Sequence, residues 1–159
     1  MTDGLAQQIV AMATDLGVTV ATAESCTGGM VSAAITDIAG SSAVFERGFV
    51  TYSNIAKTEM LGVSPDTLNA VGAVSEDVAR EMANGSRAAA QATIAVSITG
   101  IAGPGGSEHK PEGRVCFGLA TDDAVHTETV EFGAIGRAKV RSAATTHALK
   151  MLRDALIAK

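Results

Sequence analysis

Residues 19–30 read Thr-Val-Ala-Thr-Ala-Glu-Ser-Cys-Thr-Gly-Gly-Met. A β-branched, apolar run stops at Glu24-Ser25-Cys26-Thr27-Gly28-Gly29, and a helical pattern is under way by Met30. A strand that breaks into a helix through small hydroxyl residues and glycines presents a nucleophile-capable side chain, Ser25 or Cys26, at a sharp turn. The free N–H groups of the helix start point at the same place, where they can hold an anion or a developing oxyanion. The stretch implies a substrate site with chemistry attached.

Outward from this stretch, helical and strand patterns alternate. Apolar positions Leu5, Ile9, Val10, Met12 and Ala13 predict a helix over 2–16 with Gly17 at its C-terminal cap. Strands are expected at 18–23, 44–52, 93–99, 114–121 and 125–132, and helices at 27–38, 54–61, from Ser64-Pro65 onward, 75–90 and 136–158. Such interleaving implies an α/β fold, a three-layer α/β/α sandwich. The turn at Asp122-Asp123 makes one hairpin, so the sheet is mixed but mostly parallel.

The 159 residues contain no repeat, linker or low-complexity tract, so a single domain over 1–159 is expected. Apolar residues make up 47% but aromatics only 3%, so the core must be built from Ala, Val, Ile, Leu and Met. A net charge of −5 and the scarcity of stacking aromatics argue against nucleic acid and anionic membranes as partners. Cys26 and Cys116 form neither a disulfide framework nor a zinc spacing, and two thiols fit a reducing cytoplasm. The Met-Thr-Asp-Gly start lacks the basic and apolar regions of a secretory leader. No apolar run approaches the roughly 20 residues that span a bilayer. A soluble cytoplasmic protein acting on a small molecule is expected, with no resident cofactor and no metal cluster.

A cysteine nucleophile would call for a histidine partner. His109, His126 and His147 lie in no motif, and only His109, in a loop, is placed to reach a site. A serine can instead be activated by a lysine whose burial favours the neutral amine. Lys57 is the candidate, because it follows the second strand and parallel neighbours gather their carboxyl ends. A solvated surface lysine is the alternative at such a position. The loop Gly100-Ile101-Ala102-Gly103-Pro104-Gly105-Gly106-Ser107 could form an anion-binding nest, and residues 108–112 read as its mobile, solvated continuation. Arg137, Lys139 and Arg141 oppose the dipole of the last helix, which hints at use on a phosphate.

These motifs resemble the CinA C-terminal domain family in its stand-alone amidase form. The matching stretches are residues 22–29, 38–42, 48–54 with Lys57, 72–75 and 97–106, and the likeness extends over about the whole chain. The resemblance implies hydrolysis of the carboxamide of nicotinamide mononucleotide (NMN) to nicotinic acid mononucleotide and ammonia, through a serine–lysine pair at Ser25 and Lys57. It implies an oxyanion site in the turn of Cys26, Thr27, Gly28 and Gly29. Ser42, Tyr52, Thr99, Gly100 and Arg141 would contact substrate, with Arg141 on the phosphate and Arg137 as second choice. Two alternatives stay open: a non-catalytic nucleotide-binding module with a competence or DNA-repair partner, and a hydrolase using Cys26. The Ala-rich helices at 75–90 and 136–158 make a homo-oligomer an expectation.

Overall fold

A computed structural model describes residues 2–107 and 109–159. Met1, in the expected leaderless start, and Glu108, in the expected mobile stretch, lie outside the described residues.

The chain runs α1 (Thr2–Leu16), β1 (Val20–Glu24), α2 (Met30–Thr36), a 3-10 turn (Ser41–Ala43), β2 (Phe45–Val50), α3 (Asn54–Leu61), α4 (Pro65–Val71), α5 (Glu76–Ala90), β3 (Ile94–Gly100), β4 (Arg114–Ala120), β5 (Val125–Glu131) and α6 (Arg137–Ile157). The five strands lie in the order β2-β1-β3-β4-β5. β2, β1 and β3 are parallel, while β4 and β5 are antiparallel to their neighbours. The expected mixed α/β sheet is thus formed, with helices on both sides.

Alternation along the strands explains which helix packs where, since successive side chains point to opposite faces. Val20, Ile94, Val96 and Ile98 pack with Val115 and Phe117 against α1, α2 and α6. The intervening positions are small. Ala21, Ala23 and Ala95 face α3, α4 and α5. Small residues let α5 lie close to the sheet, where Ser97 Oγ donates to the Ala79 carbonyl at 2.6 Å. α5 in turn holds α3 closely. Gly85 sits against the backbone of Leu61, leaving no room for a side chain.

The chain leaves β1 toward one face and β2 toward the other, so a crevice opens at their carboxyl ends. β5 runs in the same direction as β3, so α6 also begins at this edge. Several expected boundaries shift by a few residues, and one shift bears on the site. The helix predicted over 27–38 begins at Met30, because Gly28 (φ 57°) and Gly29 (φ 106°) form a left-handed turn that a helix cannot include.

Candidate active site

The last residue of β1 organises the site. Glu24 is fully buried, with its carboxylate aimed at the start of α2. It accepts from the Thr27 hydroxyl at 2.6 Å and from the N–H groups of Gly29, Val31 and Ser32 at 3.2, 3.0 and 3.0 Å. The Ser32 hydroxyl adds a fifth bond at 2.9 Å. A carboxylate at a helix N-terminus satisfies orphan donors and complements the dipole. The sequence reading missed this role. The available signal was an acidic residue at the joint between an apolar strand and a helix start.

Ser25, half-buried, continues the β1–β3 ladder by donating its N–H to the Ile98 carbonyl at 2.9 Å. Thr51 N–H donates to the Glu24 carbonyl at 2.9 Å and continues β2 in the same way. Ser53 then caps α3, accepting from Ala56 N–H at 3.0 Å. The cap sets Lys57 in the first turn of the helix, facing inward and only 2% exposed. Its Nζ donates to Ser25 Oγ at 3.0 Å and to the Thr51 carbonyl at 2.9 Å. The two side chains, 32 positions apart in the chain, therefore meet. Thr51 also carries the one buried side-chain oxygen among the described residues that makes no hydrogen bond.

Cys26 is a different kind of neighbour. It is buried in the core. Burial pushes its thiol up to about 11, a desolvation that its own backbone N–H and the nearby charges of Arg141 and Lys57 do not offset. At neutral pH such a group is protonated and a poor nucleophile.

The turn between Ser25 and Met30 holds fewer open donors than its glycines suggest. Gly28 N–H goes to the Ser25 carbonyl at 3.0 Å, and Gly29 N–H goes to Glu24. Among the described residues, the Thr27 N–H has no acceptor, and the Cys26 N–H meets only the sulfur of its own residue. Arg141 lies on the other side of this turn, with Nε 3.0 Å from the Cys26 carbonyl and Nη2 3.4 Å from that of Thr27. One helical turn earlier, exposed Arg137 donates to Tyr52 Oη and to the Gly103 carbonyl, both at 2.7 Å. Tyr52 and the glycine loop thus meet at the head of α6.

Of the other expected site residues, Thr99 and Gly100 end β3 at this same edge. Thr99 is buried, and its hydroxyl donates to the Ala73 carbonyl at 2.9 Å. Ser42 is not brought here. It precedes β2, whereas Ser25 follows the parallel β1, so a strand length of about 17 Å separates them within one chain. His126 and His147 pair with Glu128 on the antiparallel side of the sheet. His109 is exposed and lines a surface groove with Asn54 and Asn69. The stretch expected to be mobile is pinned where it is described. Lys110 Nζ donates to the carbonyls of Val71 and Val74, and Glu112 accepts from Gly105 N–H and Gly136 N–H. Among the described residues no group of His, Cys, Asp or Glu is arranged to hold a metal ion, and no helix is long and apolar enough to cross a membrane.

The CinA C-terminal domain family matches residues 2–156. The chain belongs to that family. It is 58% identical over 137 residues to the nicotinamide-nucleotide amidohydrolase PncC of Escherichia coli K12, a match covering 86% of this chain and 83% of the relative. Among solved structures, the competence/damage inducible protein CihA from Agrobacterium tumefaciens superposes with a TM-score of 0.93 at 48% identity, covering 98% of this chain and 94% of that one. A CinA superfamily protein from Klebsiella pneumoniae superposes with a TM-score of 0.95 at 34% identity, covering 100% and 99%. The CinA fold is therefore shared over the whole site described above.

Proposed function

We propose that this protein is an amidohydrolase that converts NMN and water to nicotinic acid mononucleotide and ammonia, with Ser25 as nucleophile and Lys57 as general base. The observation that carries the reading is the 3.0 Å hydrogen bond between Lys57 Nζ and Ser25 Oγ, made by a lysine that is 2% exposed. Desolvation works against the charged form of a buried amine, which favours a lysine able to accept a proton. The substrate is suggested by the named activity of the Escherichia coli relative.

In this mechanism neutral Lys57 takes the proton of Ser25, and Oγ attacks the carboxamide carbon. The carbonyl electron pair moves onto oxygen, and the N–H groups of Cys26 and Thr27 stabilise the resulting oxyanion. The intermediate collapses, the C–N bond breaks, and Lys57 returns the proton to departing ammonia. Water then gives a proton to Lys57 and attacks the acyl carbon, and Ser25 leaves with its proton restored.

A cysteine hydrolase is disfavoured by the protonated, buried Cys26 thiol. The binding-module alternative makes no use of the Lys57–Ser25 hydrogen bond. Ammonia release from NMN by the purified protein tests the reading, with Ser25→Ala and Lys57→Ala measured alongside. Turnover that falls on the order of 10⁴-fold or more in both folded variants supports the dyad. Turnover retained in Ser25→Ala, or absent from the wild type, overturns it.

A further inference from the structure

The glycine-rich segment between β3 and β4 starts at the edge where Ser25 lies, and its described residues, 101–107 and 109–113, form a short finger. At its base Ile101 N–H donates to the Arg114 carbonyl at 2.9 Å, and Gly113 N–H to the Ile101 carbonyl at 2.8 Å. Farther out, Ser107 and Lys110 exchange both backbone hydrogen bonds, at 3.0 and 2.8 Å. Gly106 lies so near the Lys110 carbonyl that a side chain there would meet it at 2.3 Å.

Two charged side chains tie this finger to opposite banks of the crevice. Lys110 Nζ donates to the carbonyl of Val71, the last residue of α4, and to that of Val74, just before α5, both at 2.6 Å. That connection lies against the end of β3, where Thr99 holds the Ala73 carbonyl. One oxygen of Glu112 accepts from Gly105 N–H at 2.7 Å within the finger, and the other accepts from Gly136 N–H at 3.3 Å, at the start of α6. Each sign suits its anchor, a cation at the carbonyl end of a helix and an anion at the N–H end. Between the two ties the Gly103 carbonyl accepts from Arg137, which also donates to Tyr52 Oη. The finger therefore reaches from the α4–α5 connection on one side to α6 and Tyr52 on the other.

Resting on the amidase reading, we infer that Lys110 and Glu112 are positioning residues that hold this finger as a preformed roof of the substrate crevice. A segment with glycine at 100, 103, 105, 106 and 113 has wide backbone freedom when it is untied. Freezing that freedom on binding opposes affinity, and a wall ordered in advance takes the cost out of the binding step. Ser25 and Lys57 are held by β1, β2 and α3, and neither tie touches them. The roof thus acts on substrate affinity and leaves the bond-making steps alone.

The full chain tests this with Lys110→Met, Lys110→Arg and Glu112→Gln beside wild type. NMN affinity is read by calorimetry in a Ser25→Ala background, kcat and KM with Ser25 in place, and backbone hydrogen exchange over residues 101–113 with and without NMN. Lys110→Met is expected to weaken NMN binding and raise KM on the order of 10-fold, with kcat within about twofold of wild type. Exchange over 101–113 is expected to speed up in the free variant and to slow again when NMN binds, which a general loss of stability would not produce. Lys110→Arg can still donate to two carbonyls and is expected to recover most of the affinity. Glu112→Gln keeps one acceptor oxygen and is expected to shift affinity in the same direction by less. Unchanged NMN affinity in Lys110→Met, a loss confined to kcat, or exchange that stays fast with NMN bound overturns the roof. Should Lys110→Met fail to fold by circular dichroism, Glu112→Gln carries the same comparison. A wild type that binds NMN but releases no ammonia removes the amidase reading, and calorimetry and exchange then decide the roof by the same outcomes. An active wild type whose variants keep full NMN affinity removes the roof alone.

Discussion

The two halves of the sheet use their polar residues in opposite ways. In the parallel half, β1, β2 and β3 end at one edge, and the residues that follow them turn inward toward one another. Ser25, Thr51 and Lys57 meet there, with Lys57 and Glu24 both buried. In the antiparallel half, β4 and β5 are joined by a tight hairpin, so only one end of each reaches the edge where the site lies. Their polar side chains pair away from the site, with one another or with the helices packed on them: Arg114 with Glu131, His126 and His147 with Glu128, and Thr127 and Thr129 with Glu76. The second half contributes to the site indirectly, because β5 returns the chain to the crevice edge and starts α6 beside the turn after Ser25. Strand direction, more than residue type, separates a converging cluster from a solvated one.

Substitutions in the two halves should therefore differ in kind, and the sharpest contrast is between two glutamates. Glu24→Ala leaves three N–H groups and two hydroxyls without their acceptor, at a cost of about 3–5 kcal/mol in urea denaturation. Survival of full stability in that variant would break the comparison. Gly85→Ala should cost about 1–3 kcal/mol, because a methyl group there meets the Leu61 backbone and displaces α3. The same variant should lower kcat, since α3 carries Lys57. A stability loss with no kinetic effect would mean that the dyad tolerates movement of its helix.

Glu128→Gln belongs to the other half. Burial acts to raise the Glu128 carboxyl, but the hydrogen bonds and charges of His147 and His126 outweigh it and hold the group below the usual carboxylate range. A carboxyl depressed in the folded state contributes stability above its ordinary range, and that contribution is lost as pH falls through the depressed value. Wild type should thus exceed the variant by less than about 1 kcal/mol at neutral pH, and the two should converge in acid, with turnover unchanged. Thr51→Val should have the smallest effect on stability, near zero or slightly favourable by thermal unfolding, because it removes a buried hydroxyl that has no partner. A fall in turnover in that variant would assign the hydroxyl to substrate or water.

The elements were legible in the sequence wherever apolar period and punctuation agreed. Ser53, Ser64 and Ser75 all cap helices whose starts they mark. The meeting of Ser25 with Lys57 was readable because both follow strands that the α/β pattern makes parallel neighbours. The partners of the turn were not. Glu24 and Arg141 act on it from positions whose side-chain direction depends on how strand and helix dock, and Arg141 lies 115 residues from the carbonyl it holds. Ser42, expected at the substrate from the resemblance alone, lies at the opposite end of β2 from Ser25 within one chain. Lys110 and Glu112 read as solvated because their acceptors and donors are backbone groups of distant segments, which composition does not reveal.

The buried thiol beside Ser25 has a consequence for endurance. Peroxides attack thiolates, and hydrolases built on cysteine are silenced when that sulfur is oxidised. Here the group that is proposed to attack is an alcohol, and the adjacent sulfur is kept protonated and out of water. A site of this design offers peroxide no thiolate to attack.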